Sequence, residues 1–213
     1  DIELQARIYQ YTKECLQRLV DEGAAPDFVQ PGNEISYGML WSTYAGRNDR
    51  SNRCFYDSSN ESWSRFANLL TQATKAIREV CPKAGIVLHT ERSGNLSSLK
   101  DIYSRLSKVD YDIIGLSYYP FWHGSLETLS ESLEGLAAEF PGKKVQLVET
   151  AYHYQWQAKD VEYDFSSVWP INPEGQAAYT RALIQELKKH ENVIGLYWWF
   201  PEENGNGPNS AVL

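Results

Sequence analysis

The chain has 213 residues, a formal net charge of −8 and 42% hydrophobic residues, enough apolar mass for a sizeable core and too much for a disordered polypeptide. The acidic balance argues against a partner such as nucleic acid, whose phosphates demand a basic surface. No apolar run approaches the roughly 20 residues that a bilayer crossing takes, so no membrane insertion is expected.

The first predicted element is a helix from about Glu3 to Asp21. Ile8, Tyr11, Cys15, Leu16 and Leu19 recur at three- and four-residue spacing, and Gly23 ends the run. Asp27 to Gln30 turns extended. Residues 41–60 are polar and non-periodic, long enough for a functional loop. Helix resumes at about Glu61, with Phe66, Leu69, Leu70, Ala73, Ile77 and Val80 on one stripe and Pro82 beyond it.

Four short apolar runs follow as strands: Gly85 to His89, Tyr111 to Tyr119, Val145 to Glu149, and Val193 to Trp199. Their unbroken apolar character predicts burial on both faces. Helical stretches at about Leu96 to Leu106, Ser125 to Phe140 and Glu174 to His190 separate them. Such alternation implies parallel strands joined by right-handed crossovers, and with neither repeat nor linker it predicts a single domain over 1–213.

Two architectures accept this pattern. Five strands complete a doubly wound sheet, whereas an eight-fold (β/α) barrel ordinarily takes about 250 residues. Residue placement points the other way, because the first strand leads into Asn33-Glu34 and a Trp-bearing loop instead of a glycine-rich phosphate turn. A start on an amphipathic helix also suits a chain that begins partway into a barrel.

Both architectures place their chemistry at the C-terminal ends of strands. The polar residues there are Asn33 and Glu34, His89 and Glu91, Ser117 and Tyr119, and Glu149, joined by Trp198 and Trp199 on the last strand. Glu34 closes FVQPGNE and Glu149 closes VQLVE. Two convergent carboxyl groups, one protonated and one ionised, are what glycosidic cleavage requires, and their proximity by itself drives their pKa values apart. A capping role or an ion pair with a buried arginine is the competing reading for either one.

Asn33 suits a hydrogen bond to a sugar 2-hydroxyl. The 14 Tyr, 7 Trp and 7 Phe supply faces for sugars to stack on. Trp41, Tyr44, Phe55 and Tyr56 follow the first strand, Phe121 and Trp122 the third, and Tyr152, Tyr154, Trp156, Tyr163, Phe165 and Trp169 the fourth. Core packing competes with that reading, and for Trp63 and Phe66 on a helix it is the better one. His89 is assigned to substrate contact, since four histidines without HxH or HExxH leave metal binding the weakest option. Period-two alternation puts Gly115, Ser117 and Tyr119 on one face of the third strand, from which Tyr119 either reaches Glu149 or packs in the core. Cys15, Cys54 and Cys81 allow one disulfide at most and lack zinc-site spacing.

The motifs QPGNEISYGMLW, GLSYYPFWHGSL, LVETAY and GLYWWFPEENGNG, in that order, resemble the endo-β-1,4-galactanases of glycoside hydrolase family 53. The last resembles bacterial members, especially those of Bacteroides-type gut bacteria. The resemblance implies an α/β fold, a clan A (β/α)8 TIM barrel of which this chain covers roughly strands four to eight, with about three strands before residue 1 and a final helix after Leu213. It implies retaining, endo-acting cleavage of β-1,4-galactan, with Glu34 as acid/base and Glu149 as nucleophile, their carboxyl groups about 5 to 5.5 Å apart. Asn33, His89, Ser117, Tyr119, Trp122, Trp198 and Trp41 are the expected substrate-binding residues. Where relatives read YWE, this chain reads Tyr197-Trp198-Trp199, so a role for that glutamate does not carry over. A secreted or cell-surface monomer without cofactor or catalytic metal is expected, a structural calcium staying open. A β-mannanase or cellulase of the same clan, and a non-catalytic glycan-binding protein on the same scaffold, are the alternatives. A metal-dependent hydrolase using His89 and Glu91 is a third.

Overall fold

A computed structural model of the chain describes residues 2–40, 60–155 and 159–200. Among the described residues five short strands alternate with helices, and the chain divides into two compact units. The first comprises Asp1–Thr90 with Asp101–Ile113, the second Glu91–Lys100 with Ile114–Leu213.

In the first unit, α1 (Ile2–Asp21) and α2 (Asn60–Val80) pack together through Ile8, Leu69 and Ala73, with Leu4 and Met39 against them. Only Ile8 and Leu16 of the α1 stripe are buried, while Tyr11 stays 70% and Leu19 45% exposed. The expected stripe was wider than the surface that covers it: among the described residues of this unit, α2 is the helix α1 packs on. On α2 itself the stripe is enclosed from Phe66 to Ile77, and Trp63 joins the core as expected of a helical tryptophan.

Strand β1 (Phe28–Val29) pairs in parallel with β2 (Gly85–Thr90), Phe28 opposite Gly85 and Val29 opposite Ile86. Gly85 lets the strands meet closely: a Cβ there would stand 2.9 Å from the Phe28 ring and would have to displace it. Arg78 at the end of α2 forks to Asp110 and Asp112 and donates to the Ala84 carbonyl at 3.1 Å. Asp112 in turn accepts the Ile86 N–H at 2.8 Å and returns its own N–H to the Ile86 carbonyl at 3.0 Å. This bidentate arrangement fixes the start of β2 beside the segment 110–112. Higher up, the buried Tyr103 hydroxyl, from the second half of α3 (Leu96–Arg105), donates to the Leu88 carbonyl at 2.9 Å.

The second unit holds β3 (Ile113–Tyr118, from residue 114 on), β4 (Lys144–Thr150) and β5 (Val193–Leu196) in that order. Strands β4 and β5 are parallel, with Val145 opposite Val193 and Leu147 opposite Leu196, and a bulge between Val145 and Gln146. Strand β3 is buried throughout, as its sequence predicts. Strand β5 is not: Ile194 is 47% exposed. Among the described residues β5 closes the strand order and pairs with β4 alone, so its other edge and one face lack cover.

Helix α5 (Leu126–Glu139) starts at Ser125, whose Oγ accepts the Thr128 N–H, and buries Leu129, Leu133 and Leu136. Helix α6 (Pro173–Leu187) starts at Asn172, whose Oδ1 accepts the Gly175 N–H at 2.7 Å, with Pro173 in the first helical position. A one-turn helix, α4 (Pro120–His123), lies where sequence alone suggests a loop. Proline at its start and Gly124 at φ 89° after it are the local signals that set it. None of the described helices is long and apolar enough to cross a membrane.

Candidate active site

The first unit brings together Asn33, Glu34 and His89. Beyond β1 the chain turns through Gly32 at φ 100° into a 3-10 turn at Ile35–Tyr37, and Glu34 caps that turn. Glu34 itself has φ 48° and ψ 56°, the left-handed region. A residue with a Cβ occupies that region at a cost of about 1–2 kcal/mol, so something must hold it there. The Glu34 N–H donates to His89 Nδ1 at 3.3 Å. The same nitrogen lies 3.1 Å from the amide nitrogen of Gln30. His89 is fully enclosed on β2, and desolvation holds its pKa at about 4, so the ring is neutral. Asn33 is exposed and the Glu34 side chain half-buried.

Gln30 is a neighbour of His89 that sequence reasoning passed over. Its signal was a polar side chain at the end of an apolar strand, two residues from Phe28 and therefore on the same side of it. The Nδ1 lone pair of His89 is turned toward the main chain of residue 34. Glu91, the other residue of a metal reading, forms an ion pair with Arg92 at 3.2 Å.

The second unit brings together Tyr119, Trp122, Trp198 and Glu149. Tyr119 extends β3 with φ −124° and ψ 117°, so the strand alternation carries through to it. Its hydroxyl donates to Glu149 Oε2 at 2.8 Å. Of the two readings open for Tyr119, the structure combines both: the ring is buried, 6% exposed, and its hydroxyl bonds the carboxylate. The Tyr119 N–H donates to His123 Nδ1 at 2.9 Å, and His123 too is held at a pKa of about 4, chiefly by burial. Beside Tyr119 lie Phe121 and Ala151, with Trp198 packed on this cluster. Trp198 reaches it because the chain runs on beside β4 after β5 ends: Tyr197 N–H bonds the Leu147 carbonyl at 2.8 Å and Trp199 N–H the Thr150 carbonyl at 2.9 Å.

Trp122 leaves part of its ring open to solvent. It is 43% exposed and stands edge-on to Tyr119 at 5.4 Å and to Phe121 at 4.6 Å. Tyr163 is similarly open at 42%. Phe121 and Tyr152 are 3% exposed each and belong to the core: Phe121 stacks on His153 at 4.4 Å and Tyr152 on Tyr179 at 4.7 Å. These two rings depart from the expectation of loop platforms, because burial leaves them no open surface on which a sugar could stack. Ser117 is fully enclosed and its carbonyl accepts from Ser93 Oγ at 2.6 Å. Trp41, with Tyr44, Phe55, Tyr56 and Trp156, lies outside the described residues.

Parallel strands alternating with helices, and carboxylates at or just past the C-terminal ends of strands, define the class: part of a (β/α)8 barrel. Residues 2–211 match the family described as glycosyl hydrolase family 53, and the chain belongs to that family. It is 30% identical over 218 residues to the endo-β-1,4-galactanase of Bacillus subtilis, covering 98% of this chain and 46% of that one. An uncharacterised protein of Niallia circulans is 35% identical over 210 residues, 93% of this chain and 56% of its own. Among solved structures, a fungal β-1,4-galactanase superimposes with a TM-score of 0.79 at 25% identity, over 100% of this chain and 64% of that one. The family 53 catalytic domain of Ignisphaera aggregans gives 0.76 at 28% identity, over 92% and 54%. The chain thus spans about half the length of the curated relatives it matches.

Proposed function

We propose that residues 1–213 form the site-bearing part of a single catalytic barrel domain in a retaining, endo-acting glycoside hydrolase that cleaves β-1,4-galactosidic bonds in galactan. The observation that carries this reading is the Tyr119 hydroxyl donating to Glu149 Oε2 at a strand end, with exposed Trp122 edge-on to the same tyrosine ring. Family membership and the galactanase names of its relatives choose galactan over other β-glycans.

In the proposed reaction the Glu149 carboxylate attacks the anomeric carbon while the Glu34 carboxylic acid gives its proton to the departing glycosidic oxygen. A covalent glycosyl ester on Glu149 results. Glu34, now a carboxylate, takes a proton from water as that water attacks the same carbon and releases Glu149. Asn33 hydrogen-bonds the 2-hydroxyl, and Trp122, Trp198 and Trp41 provide faces for the sugar rings. No step requires a metal or cofactor. Secretion or cell-surface display and a monomeric state belong to the same proposal.

The test is a digest of galactan beside mannan and cellulose with the full chain and its Glu149→Gln variant. Galacto-oligosaccharides from galactan alone, lost in Glu149→Gln while oligosaccharide binding persists, are the expected result. Cleavage of mannan or cellulose in preference, or turnover by Glu149→Gln at the parent rate, refutes it.

A further inference from the structure

His89 stands on β2, some fifty residues from Glu34 in sequence, yet it meets that residue through the main chain. The Glu34 N–H points at His89 Nδ1 over 3.3 Å, and the Gln30 amide nitrogen approaches the same atom at 3.1 Å. A backbone N–H only donates, so Nδ1 carries a lone pair, and the neutral ring keeps its proton on Nε2. Gln30 then also presents its N–H to that lone pair. Full enclosure of the ring keeps it neutral well below the ordinary histidine range.

The residue receiving this attention has the unusual backbone. Glu34 is left-handed, at φ 48°. Rotating residue 34 back to an ordinary strand or helix conformation would swing its side chain through a large angle and withdraw its N–H from the imidazole. The same device recurs in the second unit, where His123 Nδ1 accepts the Tyr119 N–H at 2.9 Å. In both cases a buried neutral imidazole holds the backbone amide of a residue whose side chain has chemistry to do.

We propose that His89 is a positioning residue for Glu34: its Nδ1 lone pair, steadied by Gln30, fixes the left-handed turn at residue 34 and so sets the direction in which that carboxyl group delivers its proton. This replaces direct substrate contact as the role of His89, and it rests on the acid/base reading of Glu34 given above.

Two substrates of different leaving-group demand separate the possibilities. A galactan linkage needs a proton on its departing oxygen, whereas a dinitrophenolate leaves without one, so an acid-positioning defect shows in kcat/KM for galactan and not for dinitrophenyl β-galactobioside. The asparagine Oδ1 falls near the place of Nδ1 and accepts a hydrogen bond; the glutamine amide extends toward Nε2. With the full chain, His89→Gln is expected to lower kcat/KM on galactan about 10- to 100-fold, the size of effect that a small misplacement gives, and to change the aryl substrate less than about 3-fold. His89→Asn should stay within about 3-fold of the parent on both.

Equal losses on the two substrates, or equal behaviour of Asn and Gln, overturn the proposal. Glu34→Ala run alongside separates it from the reading beneath it: leaving-group selectivity in Glu34→Ala but not in His89→Gln removes the role of His89 alone, and its absence from Glu34→Ala removes both. Nitrogen-15 NMR of the unsubstituted protein tests the same point should a variant fail to fold. The expected state is an unprotonated Nδ1 and a protonated Nε2 on His89, and a proton on Nδ1 overturns the proposal.

Discussion

Tyr119→Phe removes one oxygen atom from the second unit and leaves the ring. The phenyl group keeps the contacts of the tyrosine with Phe121 at 5.7 Å and Trp122 at 5.4 Å, so packing changes little. What disappears is the hydrogen bond to Glu149 Oε2 at 2.8 Å. A hydrogen bond to a charged group is worth about 1.5–3 kcal/mol, and water restores part of it because Glu149 is half-buried. If that bond orients the nucleophile, kcat/KM should fall about 10- to 150-fold, at roughly tenfold per 1.4 kcal/mol. The assay is initial-rate hydrolysis of galactan, with melting temperature measured in parallel. Tyr118→Phe is the comparison: its buried hydroxyl donates to the Gly124 carbonyl at 2.9 Å, so it should lose about 1–3 kcal/mol of stability and keep its activity. A Tyr119→Phe enzyme with the parent kcat/KM would refute the assignment of Glu149 as the nucleophile that Tyr119 orients.

Trp122→Ala should raise KM about 3- to 10-fold with a smaller change in kcat, since the ring is 43% exposed and its edge contacts contribute little to the core; an unchanged KM in oligosaccharide kinetics would remove it from the binding face. Stability should fall as pH drops from about 6.5 to about 4. His89, His123 and His153 are each depressed to about 4 by burial, so in that window the unfolded chain takes up protons that the folded chain refuses. Each contributes a slope of up to about 1.4 kcal/mol per pH unit, read from urea unfolding at pH 7, 6 and 5, where a flat profile contradicts the burial of the rings. Gly175→Ala should destabilise by about 1–3 kcal/mol or more, because a Cβ there would stand 1.7 Å from the Pro170 carbonyl oxygen. Thermal melts that match the parent would show that the loop before α6 yields.

Strands and long helices were legible because their signals are local. Unbroken apolar runs located β2, β3 and β4, and helical stretches were read from about Ser125 and Glu174, close to the starts that Ser125 and Asn172 cap. The pairing of Tyr119 with Glu149 was readable too, from strand alternation and a shared strand-end position. The contact between His89 and residue 34 was not, because it runs through a main-chain amide and nothing in the residue type at 34 announces a left-handed backbone. Rings that face outward could not be told from rings in the core: Trp122 and Phe121 are adjacent in sequence, and only the stack on His153, thirty-two residues further on, takes Phe121 inside. Similarly, Tyr11 and Leu19 follow the helical period on α1, but period reports which side of a helix is apolar and not how much of that side meets a neighbour.

The Phe121 carbonyl accepts two backbone N–H groups at once, from Glu162 at 2.9 Å and Tyr163 at 3.0 Å. Since both donors are main-chain atoms, this anchorage is indifferent to which side chains stand at 162 and 163. Evolution, or a protein engineer, is therefore at liberty to exchange the residues displayed there while the loop keeps its moorings, provided neither becomes proline. The neighbourhood of Trp122 thereby gains a replaceable margin, one whose surface chemistry can drift without unsettling the architecture beneath.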